Sequence, residues 1–293
     1  MIPDTGQKSV FRFAPSPNGV LHLGHALSAC LNFDMARASD ARFLLRMEDI
    51  DPGRCTPDHE AAIIKDLQWL GLDWEKPVRR QSEHLDLYRQ ALDNLKQRGL
   101  VYPAFLSRGE IRAHVREMQL AGKDWPSDPD GIPHYPPGDR TRPEAERTAL
   151  IRAGQKHAWR LDMDRALAHI SGPLLFVESG SGEKQMITAD PAAWGDVVLW
   201  RSDAPSSYHL SVTVDDAFQG VTHVVRGADL AAATSVHCLL QVLLGLPQPH
   251  YHHHRLIMGE DGKKLSKSAK DQSLAELRDS GLSAQAIRQR VGL

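Results

Sequence analysis

The sequence predicts an α/β protein, in which a parallel sheet flanked by helices is interrupted by a small α+β insertion and followed by a short helical tail. Three features near the start support this class. A short apolar run at 10–14 is broken at once by Pro15 and Pro17, good helix formers follow at 21–38, and a second apolar run at 41–47 ends in an acidic turn. Strand, loop, helix and strand in this order form the βαβ unit of a parallel sheet.

Helices are predicted after this unit. Residues 56–71 carry apolar side chains at helical spacing between a proline near the start and a glycine at the end, which are the positions that these two residue types favour. A second helix is predicted over 82–98. A third begins at Ser107, followed three residues later by Glu110 in the capping-box pattern, and is expected to end near residue 122.

The composition changes at residue 122. The segment 122–143 holds six prolines and three glycines, which predicts a loop-rich insertion ordered by packing. A short helix at 147–154 and strand-like runs at 158–163 and 174–177 follow. The predicted division of the chain is 1–100 for the first half of the main domain, 101–190 for the insertion, 191–256 for the second half, and 257–293 for a loop and helical tail.

The α/β pattern returns at 196–200, 208–214 and 222–226, and a long helix is predicted over 229–246. Four of the five residues of His250–His254 are histidines. On a strand, alternate side chains point to opposite faces, so at most two or three of them share one face. We therefore predict a strand that leads toward the loop after it, and no metal site.

Composition excludes several classes of protein. With 293 residues and a net charge of −2, the chain is not a polycation, so any nucleic-acid contact must come from a local basic patch. Its three cysteines are far apart and odd in number, which argues against a disulfide framework and favours a reduced, cytoplasmic protein. No apolar run approaches the ~20 residues of a membrane span, and no signal peptide is recognisable.

The first candidate for chemistry is the pair His22 and His25, which flank Gly24 where the first strand gives way to a helix. A glycine lets phosphate approach the backbone, and a helix N-terminus offers N–H groups. Imidazoles on this turn can stabilise charge on an α-phosphate. The alternative is two surface histidines at a helix start.

The second candidate is the lysine-rich run 263–268 (KKLSKS), which lies in a polar loop entered through Gly259 and Gly262. Lysines in such a loop can neutralise a leaving pyrophosphate. The alternative is a solvated basic loop.

The two patterns together resemble the HIGH and KMSKS signatures of class I aminoacyl-tRNA synthetases. Four further segments resemble the glutamyl members of that family: 12–17 (RFAPSP), 45–51 (LRMEDID), 208–216 and 220–229 (GVTHVVRGAD). The resemblance spans roughly residues 10–270. It implies a Rossmann-like, nucleotide-binding catalytic domain with an inserted connective domain.

Glutamate is a substrate that these residue types suit. It carries two carboxylates and one ammonium, so a site needs cations for the former and an anion for the latter. Arg12 and Arg226 are the candidate cations, Glu48 is the candidate anion, and Tyr208 can add a hydroxyl. The alternatives are that Glu48 is a turn-forming acid and that Arg226 forms an ion pair with Asp215 or Asp216.

The resemblance assigns roles residue by residue. The expected glutamate-binding residues are Arg12, Ala14, Ser16, Glu48, Tyr208 and Arg226. The expected ATP-binding residues are His22, Gly24, His25, Lys264, Ser266 and Lys267. Catalysis is expected from His22, His25 and Lys267 through positioning and charge stabilisation.

Only 25 residues follow Ser268, whereas full-length glutamyl-tRNA synthetases continue into an anticodon-binding domain. The resemblance to the truncated members implies that glutamate is activated by ATP without tRNA and transferred to the queuosine wobble nucleoside of tRNA(Asp). Three other functions stay open: a minimal glutamyl-tRNA synthetase that charges tRNA 3′ ends, a non-catalytic tRNA-binding paralogue, and a nucleotidylyltransferase.

ATP with Mg²⁺ is the expected co-substrate, and a monomer is expected. The family commonly holds zinc in the insertion through cysteines, but Ala104 and Leu106 stand in the equivalent stretch, so no structural zinc is predicted. Seven arginines are candidates either for phosphate contacts or for solvated helix faces. They are Arg140, Arg142, Arg147, Arg152, Arg278, Arg288 and Arg290.

Overall fold

The computed structural model describes residues 8–201, 205–259 and 272–293. The predicted ATP-binding residues Lys264, Ser266 and Lys267 lie outside these ranges. The strands are β1 Val10–Phe13, β2 Arg42–Met47, β3 Glu75–Arg80, β4 Val101–Ala104, β5 Ala158–Leu161, β6 Leu175–Glu178, β7 Gln185–Thr188, β8 Val198–Arg201, β9 His223–Gly227 and β10 His250–His254.

Eleven α-helices are formed by the described residues. They are α1 Leu23–Ala38, α2 Pro57–Trp69, α3 Leu85–Gln97, α4 Arg108–Leu120, α5 Gly138–Thr141, α6 Glu144–Arg152, α7 Met163–Ala168, α8 Tyr208–Phe218, α9 Thr234–Leu244, α10 Leu274–Asp279 and α11 Ala284–Arg290.

The larger sheet has the strand order β3-β2-β1-β9-β10-β6-β7. Its neighbours pair in parallel, except for β6 and β7, which confirms the predicted parallel α/β sheet. The first half of the chain builds outward from β1 to β3, whereas β9 and β10 build outward in the other direction. Ligands of such sheets bind outside the carboxyl ends of the strands where this winding reverses, which here is between β1 and β9.

Helix α1 covers one face of the sheet through small residues. Ala26, Ala29 and Cys30 are fully buried, and their size lets the helix lie close to β1 and β2. The tail helices α10 and α11 add Leu274 and Ile287 to the same core. The predicted helical tail is thus confirmed, and it packs against the first half of the chain.

Helices α3, α8 and α9 form a second core cluster together with strands β4, β5 and β8. Tyr88, Leu92 and Leu95 bury one stripe of α3 against Leu239 and Leu240 of α9. Such spacing of three and four residues places the apolar side chains on one face of a helix.

The smaller sheet is antiparallel and consists of β4, β5 and β8. Strands β6 and β7 fall within the predicted insertion 101–190 but extend the larger sheet, whereas β8 falls outside it and completes the smaller one. The boundaries of the insertion stay a prediction. The capping box of α4, formed by Ser107 and Glu110, is present.

Some elements differ from the sequence prediction. The edge strand β3 has no apolar pattern to predict it, because four of its six residues are charged. The helix expected from residue 229 begins as a short 3₁₀ turn, and the α-helix starts at Thr234. The strand expected over 158–163 ends at Leu161 because the side chain of Asp162 caps α7.

Candidate active site

A cleft of about 440 Å³ lies at the carboxyl ends of β1 and β9, where the winding of the sheet reverses. Strand ends and helix starts supply its walls, as expected for an open α/β sheet. The described residues that were predicted for the site all line it: Arg12, Ala14, Ser16, His22, Gly24, His25, Glu48, Tyr208 and Arg226.

Two histidines cap the first turn of α1. The Nδ1 atom of His22 accepts a hydrogen bond from Gly24 N at 3.1 Å, and Nδ1 of His25 accepts one from His22 N at 3.1 Å. A ring nitrogen that accepts carries no proton, so each neutral ring holds its proton on Nε2. The ring centroids are 3.9 Å apart. The caps thus fix two ring N–H donors beside each other in the cleft.

Gly24 makes room for this arrangement. A Cβ atom at residue 24 would lie 2.9 Å from Cε1 and 3.1 Å from Nδ1 of His22, so any side chain would displace the ring. The first turn of α1 contains no acidic residue. The positive end of the helix dipole therefore faces the cleft without an opposing carboxylate on this turn, an arrangement that favours phosphate.

Arg12 is oriented by a buried ion pair. It donates to Asp216 through Nε at 3.0 Å and through Nη2 at 3.3 Å, and Arg46 donates to the same carboxylate at 2.8 Å. Burial alone would raise the pKa of Asp216, but the charges of Arg12 and Arg46 hold it below its ordinary value. Asp216 is therefore ionised and neutralises much of the charge on Arg12.

Glu48 follows β2 and contacts the fully buried Arg46, whose Nη2 lies 3.1 Å from Oε1. Burial raises the pKa of Glu48 above its ordinary value, although the charges of Arg46 and Arg12 oppose this shift. A further cation that enters beside Glu48 would favour its ionised form. The site is thus suited to an ammonium group.

Arg226 differs from Arg12 because its hydrogen-bond partners are neutral. They are Oη of Tyr208, Nδ1 of His237, the carbonyl oxygen of Leu230, Oγ1 of Thr234 and Nε2 of His253, at 2.7–3.2 Å. Among the described residues, no carboxylate forms an ion pair with it. The acidic pair 215–216 pairs instead with Arg12, Arg46 and Arg79, so the alternative ion pair for Arg226 is wrong. The charge of Arg226 is left for an anion that enters the cleft.

The histidines near Arg226 are neutral. Burial and the charge of Arg226 lower the pKa of His253 and of His209 to about 4, and that of His237 well below its ordinary value. The Nε2 atom of His237 lies 3.2 Å from Nδ1 of His209. Sequence reasoning gave these histidines no role at Arg226, because the contacts join separate elements.

Tyr208 opens helix α8, whose N-cap Ser207 accepts a hydrogen bond from Leu210 N. The Oη atom of Tyr208 accepts from Nη1 of Arg226 at 3.1 Å, and burial raises the pKa of the phenol. The hydroxyl therefore keeps its proton and can donate it to a carboxylate oxygen.

Asp229 also lines the cleft but received no role from the sequence. A Cβ atom at Gly227 would lie 2.6 Å from Oδ1 of Asp229, so the glycine permits its approach. The sequence feature that could have indicated a role for Asp229 is the tripeptide 227–229 (GAD), which ends the segment that resembles the glutamyl family.

Most of the candidate phosphate-binding arginines are engaged in ion pairs. Arg140 pairs with Asp164, and Arg142 with Asp139. In the tail, Arg278 pairs with Asp66 and Arg288 with Asp34. These pairs favour a structural role over phosphate contacts for the four arginines.

The stretch that would hold zinc in the family does not fit the metal. Ala104 is buried in β4, and in the loop after it Phe105 N donates to Asp139 at 2.7 Å and Leu106 N donates to Tyr135 Oη at 2.9 Å. Within the described ranges, no group of three His, Cys, Asp or Glu residues is placed to bind a metal. The absence of zinc from the protein stays a prediction.

The cysteines Cys30, Cys55 and Cys238 are free thiols. Burial raises the pKa of Cys30 to about 11 and that of Cys238 to about 12, so neither of the two is a thiolate at neutral pH. None of the helices in the described parts of the chain is long and apolar enough to cross a membrane.

The sequence model of the family described as tRNA synthetases class I (E and Q), catalytic domain, matches residues 8–293. The chain belongs to this family. Among solved structures of the family, a glutamate tRNA ligase from Elizabethkingia meningosepticum in complex with its amino acid superposes with a TM-score of 0.79 at 26% identity. The superposition covers 98% of this chain and 61% of that one.

Curated relatives within the family differ in length. A glutamyl-Q tRNA(Asp) synthetase from Rhodobacter capsulatus is 47% identical over 97% of this chain and 100% of its own length. One from Neisseria meningitidis is 37% identical, with 85% of its length covered. Glutamate–tRNA ligase 2 from Syntrophus aciditrophicus is 35% identical, but the chain spans only 55% of it.

Proposed function

We propose that this chain activates L-glutamate with ATP, without needing tRNA, and transfers the glutamyl group to the queuosine nucleoside of tRNA(Asp). The activation step is supported by the cleft at the carboxyl ends of β1 and β9, where the winding of the sheet reverses. It brings the uncompensated charge of Arg226 and the buried carboxyl of Glu48 together with the ring donors of His22 and His25. A substrate with two carboxylates, one ammonium and a phosphate-bearing partner matches these groups.

Glutamate is bound by charge and by oriented hydrogen bonds. Arg226 and Arg12 bind its carboxylates, and the hydroxyl of Tyr208 donates to one of them. Glu48 binds the ammonium. Because Arg12 is shared with Asp216, Arg226 contributes the larger part of the attraction. Ala14 and Ser16 form the wall of the cleft after β1.

Adenylate formation needs no side-chain nucleophile. An α-carboxylate oxygen of glutamate forms a bond to the α-phosphorus of ATP while the bond from that phosphorus to the bridging oxygen of pyrophosphate breaks. His22 and His25 donate their Nε2–H groups to the charge that builds on the phosphate, and the backbone at Gly24 lets it approach. ATP brings Mg²⁺ to the cleft.

The leaving pyrophosphate is neutralised by Lys264 and Lys267, with Ser266 as a further ligand. These residues lie outside the described ranges, and their role rests on the resemblance. A described neighbour supports this role, because the backbone of Ser273, a few residues after the lysine-rich run, forms an isolated bridge with His22.

The proposed acceptor of the glutamyl group is the queuosine nucleoside of tRNA(Asp). The full-length match at 47% identity to a glutamyl-Q tRNA(Asp) synthetase supports queuosine as the acceptor. A queuosine hydroxyl oxygen attacks the carbonyl carbon of the adenylate, the ester bond forms, and AMP leaves. We also propose that the protein acts in the cytoplasm as a monomer.

The acceptor can be tested with labelled glutamate, ATP and three tRNAs: tRNA(Asp) with queuosine, the same tRNA without it, and tRNA(Glu). Nuclease digestion and mass mapping would locate the label. Label on queuosine alone is the expected result. Label on the 3′ end of tRNA(Glu) would make the protein a minimal charging enzyme, and tRNA binding without label would support a non-catalytic paralogue.

A further inference from the structure

His253 contacts Arg226 from the neighbouring strand. Strands β9 and β10 pair in parallel with Arg226 opposite His253. Nε of Arg226 lies 3.2 Å from Nε2 of His253, and Oγ1 of Thr234 lies 3.1 Å from the same ring nitrogen. Two side chains that can donate thus meet on one imidazole nitrogen.

Glu178 holds the other side of the His253 ring. Its Oε2 atom contacts Nδ1 of His253, and its Oε1 atom accepts from His253 N at 3.0 Å and from Gly180 N at 2.6 Å. A Cβ atom at Gly180 would lie 2.2 Å from the carbonyl oxygen of His253. The glycine is therefore needed for the segment after β6 to lie against β10.

These contacts set the tautomer of His253. Burial alone would raise the pKa of Glu178, but the backbone N–H groups and the ring of His253 hold it below its ordinary value. Glu178 is therefore a carboxylate and accepts, so the ring proton lies on Nδ1. The lone pair of Nε2 then faces Arg226. The opposite tautomer would set the ring N–H against the Nε–H of Arg226.

We propose that His253, oriented by Glu178, is a positioning residue that aims the guanidinium of Arg226 at a carboxylate of glutamate. The proposal rests on the proposed function and assigns residues to its glutamate pocket. A neutral acceptor suits this task, because it fixes the direction of the guanidinium without neutralising its charge. Asp216, by contrast, neutralises much of the charge of Arg12. His253 thus strengthens glutamate binding and leaves ATP binding unchanged.

Two substitutions test the contacts of His253 with Glu178 and with Arg226 separately. In His253→Asn, the amide can still donate to Glu178 but does not reach Arg226. In His253→Gln, the amide oxygen can reach Arg226 but the contact with Glu178 is lost. His252→Asn on the same strand is the matched control, because His252 contacts Ser179 instead. KM for glutamate and KM for ATP would be measured for each by ATP–pyrophosphate exchange.

For His253→Asn we expect KM for glutamate to rise about ten- to hundredfold, the change that follows from leaving a buried charged donor without its acceptor. KM for ATP and kcat should stay near the wild-type values. His253→Gln should restore most of the affinity for glutamate, and His252→Asn should behave as wild type.

Glu178→Gln gives an independent test that does not alter His253. The amide keeps Oε1 as an acceptor, but its N–H group would favour the wrong tautomer of the ring, so KM for glutamate should again rise. The proposal is overturned if folded His253→Asn and Glu178→Gln both leave KM for glutamate unchanged, or if both substrates are affected equally. Absence of exchange in the wild type would instead overturn the proposed function.

Discussion

At the scale of single residues, the two arginines of the cleft differ in how much of their charge is available to a substrate. Arg12 shares its charge with Asp216, whereas Arg226 is surrounded by neutral acceptors. The residue types alone predicted both as glutamate ligands but could not separate them. Which arginine has a counter-ion depends on contacts between residues far apart in the chain.

Gly24 offers a test of the nucleotide end of the cleft. A methyl group there would lie 2.9 Å from the His22 ring, so Gly24→Ala should displace the ring while α1 stays formed. We expect kcat for pyrophosphate exchange to fall about a hundred- to a thousandfold, as for loss of a positioned donor. Circular dichroism should show the helix content of the wild type. An unchanged kcat would contradict the proposed role of His22 as a donor to the phosphate.

Glu48 gives the glutamate end a pH dependence. Burial raises its pKa above the ordinary value, and only the carboxylate attracts an ammonium. As pH falls through this raised pKa, Glu48 gains a proton, so kcat/KM for glutamate should fall at a pH above the ordinary carboxylate range of about 4–4.5. A pH profile at saturating ATP would measure this. An acid limb confined to that ordinary range would contradict the role of Glu48.

At the scale of elements, sequence patterns predicted those parts of the fold that depend on local spacing. The βαβ unit, the capping box of α4 and the strand at His250–His254 are examples. The sheet that a strand joins is set by non-local pairing. The sequence therefore did not indicate that β6 and β7 extend the larger sheet or that polar β3 forms its edge.

The loop after β4 provides a prediction at this scale. Asp139 is buried and accepts hydrogen bonds from Phe105 N and from Arg142, in the place where the family commonly holds zinc. Asp139→Asn should lower the free energy of unfolding by about 1–3 kcal/mol, and exposed Asp130→Asn should have little effect. A chelator should leave the melting temperature of the wild type unchanged. A lower melting temperature with chelator would indicate a structural metal.

At the scale of the whole molecule, the C-terminal helices complete the core beside the nucleotide end of the cleft. Ile287 is fully buried in the cluster that includes Leu21 and Leu27. Ile287→Ala should lower the free energy of unfolding by about 2–5 kcal/mol, whereas exposed Gln289→Ala should change it by less than about 0.5 kcal/mol. Denaturant titration would measure both. Equal effects would show that the tail does not contribute to the core.

Glutamate-dependent ATP–pyrophosphate exchange by the purified chain, measured with and without tRNA, would test directly whether the protein activates glutamate. We predict exchange without tRNA that is specific for glutamate over glutamine and aspartate. Arg12 and Arg226 require two carboxylates, which glutamine lacks and which aspartate holds one methylene closer together, in a cleft formed by the chain alone. Exchange that requires tRNA(Glu), or no exchange under any condition, would contradict the account.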